Sequence, residues 1–250
     1  MPRRSKSRAS APSPQANAQP EYDGGDTSQP FNEDALSGVI CTILYGLAGV
    51  YLYEGNAASL YRKSRWFREI ITYNLVPNST AITITLDDND DRAVYDMLRF
   101  IHEQPLEELH AEGRSGLNTV ISAVNLFKLA DRYGIAGLED VAAKERFPEA
   151  LLLYLAPSDI TVWNPRKDEV KQELLYIIKM VYAMASTVAE RTEHPLWAAL
   201  WEAAIRQDLD IGSKPSGTVT EVSLNAVLAE FMAGDHLARS IMPYLHIGHS

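Results

Sequence analysis

The chain has 250 residues, 46% of them hydrophobic and 22% charged, with a formal net charge of −10 and a single cysteine. That composition suits a globular protein and excludes an internal disulfide or a cysteine-built metal cage. Its acidity argues against a folded surface made to grip phosphate backbones.

The first 34 residues are rich in Ser, Pro, Ala and Gln and nearly devoid of large aliphatics. Such a segment buries too little apolar surface to offset its ordering entropy, so residues 1–34 read as a disordered tail. Its tip, MPRRSKSRAS, carries Arg3, Arg4, Lys6 and Arg8 and no acid, leaving −14 for the rest of the chain (−10 less the +4 of the tip). The tip lacks the apolar core of a secretory signal, and no apolar run approaches the ~20 residues that span a bilayer. A nuclear-import signal or a solvated tail are the two readings of that basic cluster, and the expected location is cytoplasmic, nuclear or both.

Order is expected from Ala35. Val39–Tyr45 and Val50–Tyr53 are β-branched and aromatic runs around Gly46-Leu47-Ala48-Gly49, which predicts a hairpin. Ala57–Tyr73 reads as a helix with Leu60, Trp66, Phe67 and Ile70 on its apolar side and a break near Ser64. Thr80–Leu86 alternates strictly, Ile82, Ile84 and Leu86 against Thr83 and Thr85, which predicts a half-buried strand. The acidic run Asp87–Asp91 then leads into a helix over Arg92–Glu103, with Val94, Met97, Leu98 and Ile101 inward. Leu117–Tyr133 and Ile135–Phe147 read as helix, turn, helix: Val120, Ile121, Val124 and Phe127 set one face, and Gly134 sits where left-handed backbone is needed. Lys128, Asp131, Arg132, Glu139 and Asp140 fall on the solvent side. Beyond Pro148, Pro157 and Pro165, helices are expected over Val170–Val188, Pro195–Leu209, Glu221–Met232 and Asp235–Leu245, with a linker at 212–217. Strands and helices first, helices alone afterwards, make an α+β fold: a domain at 35–150, a connector at 151–168 and an all-α extension at 169–247.

The reactive candidates are few. An EF-hand loop begun at Asp87 would need Gly and Glu where Arg92 and Leu98 stand, so the acidic run reads as helix capping. His246 and His249 have metal-ligand spacing, but no third ligand is near in sequence. His102 and His110 flank a loop, and His194 precedes Pro195 at a helix start. Cys41 lies in a strand expected to be buried, which favours an inert thiol. No nucleophile elbow, P-loop or dinucleotide fingerprint occurs. No catalytic, cofactor-binding or metal residue is assigned, and no cofactor is expected. The aromatic groups Tyr45, Tyr51 and Tyr53, Trp66-Phe67, and Trp197 with Trp201 suit either a core or a partner surface, core being favoured for the tryptophans.

Leu129-Ala130-Asp131-Arg132-Tyr133-Gly134-Ile135, followed by Gly137-Leu138, resembles the BTB/POZ domain, especially its stand-alone fungal form. Leu86, the acidic turn and Ala93-Val94-Tyr95-Asp96-Met97-Leu98-Arg99-Phe100-Ile101 match that family's strand, turn and helix, and Lys63-Ser64-Arg65-Trp66-Phe67 approximates its Arg-Ser-x-x-Phe element. Together these cover about 35–148. Two departures stand out: Ser37-Gly38-Val39 replaces the usual Ser-Asp-Val, and Glu54-Gly55 replaces a His-Lys pair that belongs to the family's pairing groove. The resemblance implies a protein-interaction module with no cofactor and no catalysis that self-associates; the acidity and the lack of a bilayer-length apolar run set the expectation of no direct nucleic-acid or membrane contact. Phe100–Glu103 and the loop to Leu117 lie where a cullin scaffold docks in related proteins, which makes a ubiquitin-ligase adaptor the alternative. A transcription-complex component and a hydrolase are further alternatives.

Overall fold

The computed structural model describes residues 33–76, 79–88, 90–106, 108–109, 116–156, 167–185, 187, 190, 193–213 and 223–234. The expected helix over Asp235–Leu245, the 214–217 part of the linker, residues 1–32 of the tail, and Trp163, His110, His246 and His249 lie outside them. The described chain is mixed α+β and mostly helical, with one small sheet of three strands. No helix among the described residues is long and apolar enough to cross a membrane.

The sheet has strands β1 (Ile40–Tyr45), β2 (Tyr51–Asn56) and β3 (Ala81–Thr85) in the order β2-β1-β3. β1 runs antiparallel to β2 and parallel to β3. The hairpin turn is a 3-10 turn at Leu47–Gly49, entered through Gly46 at φ +77°. Tyr51 folds back so closely that a Cβ on Gly46 would lie 2.6 Å from its ring. The alternation in β3 is as expected, with Ile82 and Ile84 buried and Thr83 and Thr85 exposed.

The expected break at Ser64 divides the first helical stretch into α1 (Ala57–Lys63) and α2 (Arg65–Asn74). Ser64 has extended backbone, and its Oγ accepts from the Phe67 amide, which caps α2. The same hydroxyl donates to the Tyr133 carbonyl at 2.6 Å, and Ser64 forms a β-bridge with Ile135. A fully buried serine is thereby satisfied twice, and α2 is pinned to the turn seventy residues further on. Trp66 meets Tyr133 edge-on and Phe67 stacks on it.

α3 spans Asp91–Ile101 and α4 Leu117–Tyr133, the latter ending on Gly134 at φ +56°. α4 is the central helix and contacts α2, α3, α6 and α7. It buries Thr119 and Ser122 as well as its apolar face, so a one-sided amphipathic reading understates it.

After Gly134 the structure departs from expectation. Residues 135–137 are not helical, because Ile135 is held in the bridge to Ser64 and Gly137 sits at φ +83°. Helix α5 (Leu138–Val141) instead passes through a π-turn (Ala142–Arg146) into α6 (Phe147–Leu155). Phe147 N–H reaches back five residues to the Ala142 carbonyl. That wider turn accommodates Pro148, which has no N–H to offer a tight helix, so the proline does not stop it. The connector expected at 151–168 therefore begins inside a helix. α7 (Lys167–Tyr182), α8 (Pro195–Ser213) and α9 (Leu224–Gly234) follow. α7 stops six residues before the expected Val188, and α8 runs four residues past Leu209. α8 packs on α6 and α9, and α7 on α4.

Candidate functional site

The candidates for chemistry are taken up by structure. Cys41 is fully buried on the inner face of β1, and burial pushes its thiol up to about 12, so it is protonated and inert. The acidic run ties elements together. Asp88 accepts from both Arg132 and the Tyr133 hydroxyl at the end of α4. Burial, then this bond to Asp88, raises the Tyr133 phenol. Asp90 caps α3 through Ala93 N–H at 3.0 Å, and accepts from Ser122 Oγ at 2.6 Å and Asn125 Nδ2 at 2.8 Å on α4. Capping was expected; the clamp onto α4 was not legible from local sequence. Among the described residues no group of three His, Cys, Asp or Glu could hold a metal ion.

His102 ends α3, where its Nδ1–H donates to the Leu98 carbonyl at 2.8 Å. Its Nε2 is buried without a hydrogen-bond partner, and its ring leans on Tyr53. The ring fills the place of a side chain at Gly55: a Cβ there would lie 2.2 Å from Nε2. His194 precedes α8 and lies against Phe127 of α4, and burial lowers its pKa. Trp197 is core, packed beside Tyr182.

The exposed surface includes an apolar cluster. The large hydrophobic side chains on the surface of the described residues are Ile40, Leu47, Val50, Tyr51, Leu52, Tyr73, Val76, Tyr176 and Ile205. Five of these nine belong to the β1–β2 hairpin, so the exposure is concentrated and not scattered. Leu47 is 79% exposed, Val50 73% and Leu52 59%. The pairing register explains why. Cys41, Ile43 and Tyr45 face inward with Ile82 and Ile84, so Ile40, Thr42, Leu44, Leu52, Glu54, Asn56, Ala81, Thr83 and Thr85 share the outer face. Only Glu54 on that face is charged.

The sequence contained a signal for this face. A half-covered strand needs apolar residues at alternate positions, yet Val39–Tyr45 is apolar at every position except Thr42. Leu47, Val50 and Leu52 were not singled out from sequence because a hairpin turn gives no local cue to what covers it.

Neither protein-family models, nor curated proteins, nor solved structures give a match to this chain.

Proposed function

We propose that this chain is a non-catalytic protein-interaction module of the BTB/POZ type that self-associates and recruits partners. The observation that carries the reading is the gathering of exposed apolar side chains on the β1–β2 hairpin, since apolar exposure concentrated on one hairpin of a chain of charge −10 suits association. The three-stranded sheet and the Ser64–Tyr133–Ile135 junction, which holds the BTB-like hinge Leu129–Ile135 against α2, support the same fold assignment. Light scattering behind gel filtration tests it: the reading expects a mass near twice 27.8 kDa at micromolar concentration, and a 27.8 kDa species throughout refutes it.

A cullin scaffold is the second partner class. Phe100 at the end of α3 is half-exposed beside Gly137, and Glu103 follows at φ +57°, presenting this corner outward. A pull-down with purified cullin that retains nothing sinks that reading and leaves the first intact.

A further inference from the structure

We propose that the occupant of the hairpin face is a second copy of this chain, joined β2 to β2 in antiparallel fashion with Leu52 opposite Leu52 of the other copy. The inference rests on the self-association reading above and assigns its surface.

β2 is an edge strand: β1 pairs with it on one side, and no described strand pairs on the other. Free sheet edges in natural proteins are guarded by charged side chains, lysine above all, by proline or by a bulge that spoils pairing. Tyr51–Asn56 has a single charge, Glu54, and neither lysine nor proline, and its register with β1 runs without interruption from Ile40↔Asn56 to Tyr45↔Tyr51. The strand is therefore a regular template whose outward backbone groups fit another strand.

Charge selects the occupant. In a two-fold contact the same patch meets itself, so every like charge in it is doubled across the interface. A chain of net −10 repels its copy through most of its surface. The outer sheet face carries one charge, Glu54, among aliphatic, threonine and asparagine side chains, which makes it self-compatible.

Pleating and charge then select the register. Directly opposed residues on antiparallel strands share a face, so the two-fold axis passes through a single residue and not between two. An axis at Glu54 would oppose two carboxylates. An axis at Tyr53 would set Leu52 against Glu54. An axis at Leu52 opposes leucine to leucine on the outer face, pairs Tyr51 with Tyr53 on the inner face, and places Glu54 against Val50. Leu44, the β1 partner of Leu52, extends the apolar strip on both sides. The contact is small, in the class below ~1,200 Å² that gives weak complexes.

The test uses the full chain. Sedimentation equilibrium from about 1 μM to 1 mM, a range suited to weak interfaces, should show wild type rising toward twice 27.8 kDa. Leu52→Lys should stay at 27.8 kDa with an unchanged far-UV spectrum, since Leu52 is exposed and no core contact is lost. Leu52→Cys should form a covalent dimer on mild oxidation, while Ala81→Cys, exposed on the opposite edge, should not; Cys41 is buried and silent. Wild type and Leu52→Lys both dimeric, or Ala81→Cys cross-linking as readily as Leu52→Cys, overturns the assigned surface and leaves self-association standing. Wild type monomeric over the whole range overturns self-association itself and this inference with it.

Discussion

Gly55→Ala places a methyl group where the His102 ring already is. The new Cβ would stand 2.2 Å from Nε2 and 2.5 Å from Cε1, where ordinary contact begins at 3.4 Å. The ring must retreat by about 1.2 Å, the difference between those distances, at a site that cores resist enlarging. It is not free to do so cheaply. Its Nδ1–H is bonded to the Leu98 carbonyl, and its face leans on Tyr53 with ring centroids 5.3 Å apart. Losing that hydrogen bond costs ~1 kcal/mol and overpacking a further ~1–3 kcal/mol, so a destabilisation of ~2–4 kcal/mol is expected. Equilibrium urea unfolding followed by far-UV circular dichroism measures it. His102→Ala in the same background removes the obstacle, so the double variant should be more stable than the sum of the singles by ~1 kcal/mol or more. Gly55→Ala within ~0.5 kcal/mol of wild type, or strictly additive singles, would refute the account of Gly55 as a place reserved for the ring.

Asp90→Ala removes the cap of α3 and both bonds to α4, and ~2–3 kcal/mol of stability should be lost; Asp90→Asn should lose less, and thermal melting orders the three proteins. Millimolar calcium should leave the wild-type Tm unchanged, because Asp88 and Asp90 are already committed to protein donors. Ser64→Ala should cost ~1–2 kcal/mol and speed hydrogen exchange at the Phe67 amide, which would lose its acceptor. His194 is held below its ordinary pKa of 6.5 by burial, so the folded protein binds its proton less readily than the unfolded chain. Its stabilising contribution is whole above pH 6.5 and is lost as pH falls below that value toward the folded pKa. Between pH 7.5 and 5 the urea midpoint of wild type should fall more than that of His194→Asn, whose side chain does not titrate; parallel slopes would contradict this.

Strict alternation made β3 legible from Thr80–Leu86, and a serine amid helix formers marked the break at Ser64. Gly134 marked the end of α4 because only its left-handed backbone lets Ile135 N–H return to the Ala130 carbonyl. Pro148 misled, because a proline reads as a stop unless the preceding turn is known to be π-wound. The role of Gly55 depended on a histidine forty-seven residues away.

The sequence by itself placed most of the strands and helices, since periodicity and capping are local properties of adjacent residues, but not the non-helical 135–137 or the π-wound path through Pro148. It also determined that the one thiol and the acidic run would be structural, from strand burial and from helix-start chemistry. Only the tertiary structure decided which face of the sheet is covered. A strand apolar at nearly every position is compatible with cover on either side or both. The helices lie on one side, over Cys41, Ile43 and Tyr45, so Ile40, Leu44 and Leu52 are left on the other. That asymmetry depends on contacts between distant segments, and it is where the candidate interaction surface lies.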